Sequence, residues 1–255
     1  MLNTIVNTLF IGKVLLYYQS LESTNLTAIE YLSKNTPSDG TTIYTYQQHG
    51  GRGQVGSKWE SEPDKNIALS TILFPDFLPS RRQFLLSQTV SLAIYDFLST
   101  YITSNLRIKW PNDLYVGNKK IAGILIQNVL SGPRLQSSIA GVGINVNQTV
   151  FVSDAPNPVS LTQLTGKSYH LDTLIIQLCQ AIDLRYRQLR AEKYEEIERT
   201  YLQRLYRYEE KAIFQRENLS TFAGKITGIA SDGKLQIENA GGMEAFALKE
   251  VSFVQ

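Results

Sequence analysis

Three segments of the chain repeat their apolar positions at helical spacing. The spacing predicts a short helix over 26–34, with Ser23 or Thr24 as its cap, and a second helix between 79 and 101. A third segment, 171–189, has the apolar stripe of a long amphipathic helix. We expect the helix between 79 and 101 to cover one face of a sheet.

Most of the remaining segments are typical of β-strands. Residues 42–46 and 66–74 predict strands on either side of a glycine-rich loop. Gly117-Asn118 suits a tight hairpin turn, and a strand pair follows over about 121–147. The apolar stretch 1–18 lacks a basic leader and a cleavage site, so it predicts a first strand rather than a signal peptide.

Beyond residue 205 the pattern changes to a period of two. Asp232-Gly233 and Gly241-Gly242 are typical hairpin turns, and they separate four or five short predicted strands. A group of this length is below the size that usually folds alone. We therefore predict two domains, 1–207 and 208–255, the second being a small barrel that leans on the first.

Composition places the chain among ordinary globular proteins. Its 255 residues carry 25 Lys and Arg against 23 Asp and Glu, so a net charge of +2 provides no global field to hold DNA. No run reaches the roughly 18 apolar residues that a membrane-spanning helix requires. The single cysteine, Cys179, falls in a predicted helical stripe and indicates core packing. A reducing, cytoplasmic setting fits this cysteine usage.

Residues 49–61, HGGRGQVGSKWES, combine closely spaced glycines with two cations and a tryptophan; we call this segment the glycine loop. Successive backbone N–H groups in such a loop form an anion-binding nest, to which Arg52 and Lys58 add charge. The pattern is neither a Walker motif nor a dinucleotide fingerprint. The face of Trp59 suits stacking on a flat base. A flexible surface hairpin is the alternative, but it leaves the framed arginine unexplained.

The predicted strand SIAGVGINVNQ has one apolar face, while its opposite face carries Gly141, Gly143 and then Asn145. Glycine in a strand marks a close approach by another group. A tightly packed helix and a ligand would both explain the glycines. The amide of Asn145 on the same face favours a ligand.

Strand alternation places Lys120 on the face of Ala122, Ile124 and Ile126. A lysine at the end of an apolar row either extends to water or meets an anion, because burying it alone is costly. We expect Lys119, on the other face, to be solvated.

A polar turn, Pro111-Asn112-Asp113, ends the preceding strand. Asn and Asp in such a turn either cap the backbone or hold a phosphate-bound metal ion. For Asp113 alone, capping is the simpler interpretation.

These stretches, in this order, resemble the biotin protein ligases. The shared motifs are STN (23–25), QQHGGRGQVGSKW (47–59), KWPND (109–113), KKIAGIL (119–125) and GVGINVN (141–147). The resemblance runs from about residue 10 to the end of the chain. It implies an α+β fold: a catalytic domain like the class II aminoacyl-tRNA synthetase core, with a mixed sheet and flanking helices. A small SH3-like β-barrel is expected to follow.

The resemblance also implies a ligase reaction in two steps. The biotin carboxylate attacks the α-phosphate of ATP in the presence of Mg²⁺, giving biotinyl-5′-AMP and pyrophosphate. A lysine of a biotin carboxyl carrier protein of an acyl-CoA carboxylase then takes the biotinyl group. Two anions meet in the first step, so placed cations lower its barrier by electrostatics. The glycine loop would fold over the labile adenylate and exclude water.

Individual site residues follow from the same resemblance. It assigns biotin binding to Ser23, Thr24, Asn25, Gln48, Gly51, Arg52, Lys120, Gly123 and Gly141. It assigns ATP binding to Gly53, Gln54, Trp59, Asn112, Asp113, Lys120 and Asn145. Lys120 and Arg52 are the implied catalytic cations, and Asp113 is the implied Mg²⁺ ligand. Trp59 is expected to stack on adenine.

The sequence departs from the family in the glycine loop, where many relatives carry more basic residues than Gln54, Val55 and Ser57. Fewer charges predict weaker retention of the adenylate. The chain starts at the catalytic pattern, so neither a helix-turn-helix nor DNA binding is expected. A monomer and a homodimer both fit the sequence.

Other functions stay open on the sequence. A lipoate or octanoate ligase of the same fold would also adenylate an acid, although the KWPND and GRG motifs favour biotin. A biotin or nucleotide binder without turnover would not need both Lys120 and Arg52. Arg and Tyr are interleaved over 199–211, which suits either RNA stacking or a solvated amphipathic helix.

Overall fold

The computed structural model describes residues 6–54, 56–153 and 157–254; Val55 and the first five residues of the predicted first strand lie outside them. Helices and strands alternate irregularly along these ranges. The α-helices are α1 (Thr24–Lys34), α2 (Phe84–Ser99), α3 (Leu161–Thr165), α4 (Leu171–Arg190) and α5 (Tyr194–Arg204). A short 3-10 turn, Ser80–Arg82, leads into α2.

A seven-stranded mixed sheet forms the centre of the larger part of the molecule. Its strands are β1 (Leu15–Tyr17), β2 (Thr41–Thr45), β3 (Ile67–Leu73), β4 (Leu106–Lys109), β5 (Asp113–Val116), β6 (Lys119–Ser131) and β7 (Arg134–Ile144). The spatial order is β1-β2-β3-β7-β6-β5-β4. β1 and β2 are parallel, and all other neighbours are antiparallel.

Helices cover both faces of this sheet. On one face α1 packs against β2, β3 and β7, and Ala28 of α1 meets Ile43, Ile72 and Ile139 in a small apolar cluster. On the other face α2 packs against the sheet and against α4 and α5. Helices α2 and α4 bury the apolar stripes that their spacing predicts, since burial of such a stripe stabilises an amphipathic helix.

The C-terminal strands form a separate antiparallel sheet. They are β8 (Lys211–Arg216), β9 (Thr221–Ile229), β10 (Leu235–Asn239), β11 (Gly242–Phe246) and β12 (Val251–Phe253). Their order is β11-β10-β9-β8-β12. The indole N–H of Trp110 donates to the carbonyl of Gly233 at 2.9 Å, so the second sheet does lean on the first. The boundary between 207 and 208 stays a prediction.

The predicted α+β class, with a mixed sheet and flanking helices, is confirmed. Two local expectations need correction. The described part of the first strand is only Leu15–Tyr17, and Ser23 occupies the N-cap of α1 without a side-chain capping bond. Cys179 is fully buried, and burial raises the pKa of its thiol to about 12, as its core role requires.

Two findings bear on the wider functional alternatives. Tyr201 of α5 is fully buried in the core, so its ring is not available for base stacking. None of the helices in the described ranges is long and apolar enough to cross a lipid bilayer.

Candidate functional site

A cavity of about 260 Å³ opens on the α1 face of the large sheet, where the glycine loop folds over β6 and β7. Its lining includes every residue that the resemblance assigns to biotin or ATP, except Gly51 and Asn145. Gly51 lines an adjoining cleft of about 870 Å³, which shares Gln48 and Trp59 with the cavity. The fold therefore brings distant motifs together at one place.

One end of the cavity, which we call the pocket floor, is formed by Ser23, Thr24, Asn25 and Gln48, and all four are buried. Gln48 Oε1 accepts hydrogen bonds from the Thr24 backbone N–H at 2.9 Å and from the Thr24 hydroxyl at 3.3 Å. Ser70 Oγ of β3 lies 2.8 Å from Thr24 Oγ1 and 2.6 Å from Asn25 Oδ1, and its single hydroxyl proton is within reach of both oxygens. The floor is thus fixed by its own contacts.

Bare backbone on β6 and β7 makes room for side chains above it. A Cβ at Gly141 would lie 2.0 Å from Asn25 Oδ1, and a Cβ at Gly143 would lie 2.5 Å from Trp59 Cε2. At Gly123 the Trp59 ring would be 3.0 Å away. The predicted division of β7 into an apolar face and a bare face is confirmed, and the bare face borders the site.

Lys120 reaches the site through an irregularity that alternation does not reveal. Ala122 and Lys120 pair with consecutive residues of β5, so Ile121 is an extra residue in β6. Such a β-bulge moves the following side chains to the opposite face. Lys120 therefore shares the face of Gly123, whose Cβ would lie 3.4 Å from Lys120 Cε. The prediction that Lys120 continues the apolar row of Ala122 was wrong for this reason.

The cation of Lys120 lies against a carboxylate. Lys120 Nζ is 2.7 Å from Asp113 Oδ1 and 5.7 Å from the centre of the Trp59 ring. Burial raises the pKa of Asp113, although Lys120 and Lys109 oppose that shift. Burial likewise lowers the pKa of Lys109, so the turn holds its charges at an energetic cost. Lys119 is exposed, as predicted.

Charge in the cavity is predominantly positive. Arg52, Lys58, Lys120 and Lys249 line it, and Asp113 is the sole carboxylate among its described lining residues. A concave site lined by one sign of charge concentrates ligands of the other sign. The cavity is therefore suited to an anion such as a phosphate or a carboxylate.

Asp113 and Asn112 are the groups that could meet a metal ion here. The Asn112 side chain donates to the carbonyl of Ile124, and the Ile124 N–H donates back to Asn112 at 3.0 Å. In the described ranges no three His, Cys, Asp or Glu side chains are grouped to hold a metal. One carboxylate still fits Mg²⁺, which proteins often hold through one or two carboxylates and substrate phosphates.

The glycine loop is folded as a small hairpin over the cavity. The Gly53 N–H donates to Ser57 at 2.8 Å, and the Trp59 N–H donates to Gly51 at 2.9 Å. Arg52 points outward: its side chain is 56% exposed, and its Nη2 lies 3.5 Å from Glu22 Oε1. An exposed pair at this distance contributes little, so Arg52 is weakly held.

Glu60, near the C-terminal end of the glycine loop, is held by several hydrogen bonds. Glu60 accepts hydrogen bonds from the N–H groups of Val152 at 3.0 Å and Ser153 at 2.8 Å, and from Gln148 Nε2 at 2.9 Å. Burial opposes ionisation, but these bonds outweigh it and hold the pKa of Glu60 below its usual value. Next to this anchor, the indole N–H of Trp59 is buried with no partner among the described residues.

Asn145 stands apart from the other predicted residues. Its side chain is buried and donates to the carbonyl of Val159 at 3.1 Å, while its backbone N–H donates to Ile121 at 2.9 Å. In this structure it braces the segment beside the bulge. Its assignment to ATP stays a prediction.

Residues of the site that were not predicted include Ser70, Leu248 and Lys249. Ser70 lies behind the floor, and its signal was the hydroxyl pair Ser70-Thr71 inside the apolar run of β3. Leu248 and Lys249 reach the cavity from the turn between β11 and β12. They have no local sequence signal, because only long-range packing brings them there.

Sequence comparisons agree with this geometry. A model described as the biotin/lipoate A/B protein ligase family matches residues 17–145. The bifunctional ligase/repressor BirA of Bacillus subtilis is 30% identical over 250 residues, which cover 94% of this chain and 74% of that protein. The biotin–acetyl-CoA-carboxylase ligase of Paracoccus denitrificans is 29% identical over 224 residues, covering 85% of this chain and 91% of that one.

Solved structures share the fold. Biotin protein ligase from Aquifex aeolicus, in complex with biotin and ATP, has a TM-score of 0.77 at 24% identity and covers 95% of this chain and 99% of its own. The Leishmania major ligase in complex with biotinyl-5-AMP has a TM-score of 0.57 at 18% identity, covering 92% and 98%.

Proposed function

The chain belongs to the biotin/lipoate A/B protein ligase family, as a biotin protein ligase, and we propose that its cavity joins biotin to AMP. The biotinyl group then passes to a lysine of a biotin carboxyl carrier protein. The observation that carries this proposal is the position of Lys120, directed by a β-bulge into an electropositive cavity beside the polar floor.

In the first step a biotin carboxylate oxygen bonds to the α-phosphorus of ATP, and the bond from that phosphorus to the pyrophosphate oxygen breaks. The floor holds the ring end of biotin, which leaves its carboxylate near Lys120. Lys120 stabilises the negative charge shared between the carboxylate and the phosphoryl group. Its contact with Asp113 at 2.7 Å fixes the ammonium in place before the substrates arrive.

Asp113, with Asn112 beside it, would hold Mg²⁺ together with the ATP phosphates. When bound, Mg²⁺ neutralises charge on the leaving pyrophosphate. Arg52 turns from Glu22 toward the substrates as the glycine loop closes, which exchanges a weak exposed contact for a pairing with an anion. The ring of Trp59, at the anchored end of the loop, offers its face to adenine.

In the second step the amine of the carrier lysine attacks the biotinyl carbonyl, an amide bond forms, and AMP leaves with the electron pair of the anhydride bond. The glycine loop keeps water from the anhydride until the carrier arrives. Because the loop has fewer cations than in many relatives, we expect looser retention of the adenylate.

The setting and assembly belong to the same proposal. The one cysteine of the chain is buried and unreactive, which suits a reducing cytoplasm. We infer the domain division 1–207 and 208–255, and a monomer or a homodimer, from the family.

Exchange of labelled pyrophosphate into ATP tests the first step. The purified protein would be assayed with biotin, lipoate and octanoate in turn, each with ATP and Mg²⁺. We expect exchange with biotin alone. Faster exchange with lipoate or octanoate would show that this acid, and not biotin, is the substrate. No exchange with any of the three acids would show that the protein binds its ligand without adenylating it.

Transfer tests the second step. A carrier domain is incubated with the protein, biotin and ATP, and its mass is compared with that of a carrier whose acceptor lysine is replaced by arginine. A gain of one biotinyl group on the first carrier only is expected.

A further inference from the structure

We propose that Ser70, which lies behind the pocket floor, is a positioning residue for substrate selection: it sets how Thr24 and Asn25 present their oxygens to the head group of the acid. Ser70 is fully buried in β3 and pairs with Gly141 of β7. The proposal rests on the proposed function and specifies which chemical feature of the substrate the floor selects.

The orientation of Asn25 is determined by its donors. Its Nδ2 donates to the carbonyl of Leu125 at 3.2 Å and to Gln127 Oε1 at 2.9 Å. The Leu125 carbonyl can only accept, so it requires Nδ2 of Asn25 on its side, and the Gln127 amide can turn to suit. Oδ1 therefore faces Ser70, which is 2.6 Å away and supplies a donor proton.

The proton of Thr24 is also engaged within the protein. Its hydroxyl donates to Gln48 Oε1 at 3.3 Å, and Ser70 Oγ lies 2.8 Å from the same hydroxyl oxygen, so the single Ser70 proton is shared between Thr24 Oγ1 and Asn25 Oδ1. Gln48 Oε1 is fixed as an acceptor because the Thr24 backbone N–H also donates to it. The Gln48 Nε2 group is left on the Gly51 side, where a Cβ would lie 2.9 Å from it.

The floor consequently presents acceptor oxygens at Thr24 and Asn25 and a donor group at Gln48. A head group with N–H donors beside a carbonyl, such as a cyclic urea, complements this pattern. A dithiolane or an alkyl chain offers no donor, so it would leave the remaining lone pairs of these buried oxygens without a partner and would bind more weakly. Ser70 contributes by holding two of these acceptors in their positions.

The test compares Ser70→Ala with Ser138→Ala. Ser138 of β7 is also fully buried, but its hydroxyl has no partner among the described residues. It therefore reports the generic effect of removing a buried serine hydroxyl from this sheet. For Ser70→Ala we expect the KM for biotin in pyrophosphate exchange to rise about tenfold, with kcat and the KM for ATP nearly unchanged.

A second measurement uses biotin methylated on a ureido nitrogen. The unsubstituted protein is expected to bind this analogue at least tenfold more weakly than biotin, and Ser70→Ala is expected to narrow that gap. If Ser70 had only a structural role, Ser70→Ala would lower the affinity for both ligands by the same factor. The inference would be overturned if the affinity ratio of biotin to its methylated analogue were the same in Ser70→Ala and in the unsubstituted protein. It would also be overturned if Ser70→Ala and Ser138→Ala changed the KM for biotin equally.

Failure of this inference is distinguishable from failure of the proposed function. If the unsubstituted protein does not exchange pyrophosphate with biotin, the proposed function is wrong. If it does, but binds biotin and the methylated analogue alike, the floor does not select N–H donors, and the inference on Ser70 is wrong while the proposed function stands. Should Ser70→Ala not fold, the comparison of the two ligands on the unsubstituted protein still decides whether the floor selects N–H donors.

Discussion

The pocket floor and the glycine loop border the same cavity but are built in opposite ways. Ser23, Thr24, Asn25 and Gln48 are buried, Thr24 is hydrogen-bonded to Gln48, and Asn25 is hydrogen-bonded to β6 and β3. Apart from its anchored end at Glu60, the glycine loop is largely exposed and is held by a few backbone bonds and one weak ion pair. The floor is therefore organised in advance, whereas the loop is left free to respond to what the cavity contains.

This difference matches the two tasks of a ligase with a labile intermediate. Selection of the acid requires fixed donors and acceptors, because an unsatisfied buried group discriminates only if it cannot move away. Protection of the intermediate requires a cover that opens for substrates and for the carrier. Lys120 lies between the two regions, on the rigid sheet but beneath the loop.

The largest expected effect comes from the residue that both regions share. Lys120→Ala removes the charge placed at the reacting phosphoryl group, and we expect pyrophosphate exchange to slow by about 10²–10³-fold. Lys119→Ala, next to it in β6 but exposed, is the matched control and is expected to retain activity. Unimpaired exchange by a folded Lys120→Ala variant would refute the assignment.

Two glycines on one face of β7 separate the floor from the loop. The Cβ introduced by Gly141→Ala would lie 2.0 Å from Asn25 Oδ1, and that of Gly143→Ala would lie 2.5 Å from Trp59 Cε2, so each substitution displaces its neighbour. We expect the first to raise the KM for biotin and the second to raise the KM for ATP, each about tenfold, because forced displacement of a packed group costs roughly 1–3 kcal/mol.

The control for this pair is Gly241→Ala, in the exposed turn between β10 and β11. It is expected to leave both KM values unchanged. If both β7 variants raised the same KM, the floor and the loop would not serve different substrates, and the comparison would fail.

Most of the fold could be predicted from the sequence because its elements are regular. The helical stripes of α2 and α4 and the hairpin at Gly117-Asn118 follow from spacing and turn chemistry, which act locally. The bulge at Ile121 could not be predicted from alternation, since an extra residue in a strand leaves no mark in the apolar pattern. That one irregularity reversed the face of Lys120.

Site residues that belong to sequence motifs could be predicted, whereas those that long-range packing brings to the cavity could not. The floor residues and Lys120 line the cavity as the resemblance implied. Lys249 lies in the turn between β11 and β12 of the C-terminal sheet, so its presence at the cavity depends on how the two sheets pack together. Asn145 shows the reverse case: it follows the end of β7, and its side-chain amide donates to the Val159 carbonyl instead of lining the cavity.

A smaller effect is expected at the anchored end of the loop. Glu60→Ala removes the acceptor for Val152, Ser153 and Gln148, and we expect the KM for ATP to rise a few-fold as Trp59 loses its support. Glu62→Ala, exposed and two residues away, is the control. A normal KM for ATP in the Glu60 variant would show that Trp59 is held by other contacts.

The same anchor has a defined pH dependence. The pKa of Glu60 is lowered in the folded protein, so its contribution is complete above the ordinary glutamate pKa and is lost as pH falls through the lower folded value. We therefore expect no change in the KM for ATP from this group near neutral pH. An increase in that KM appearing only under acidic conditions, and absent from Glu60→Ala, would support the assignment.

The smallest expected effect is a change in local protection rather than in rate. Amides of Gly53, Ser57 and Trp59 are expected to exchange rapidly with deuterium in the free protein, because loop bonds open at little cost. Biotin and ATP together are expected to slow these amides several-fold while leaving Ser70 in β3 unchanged. Equal slowing in loop and strand would mean that the floor also orders on binding, and selection could then no longer rest on groups fixed in advance.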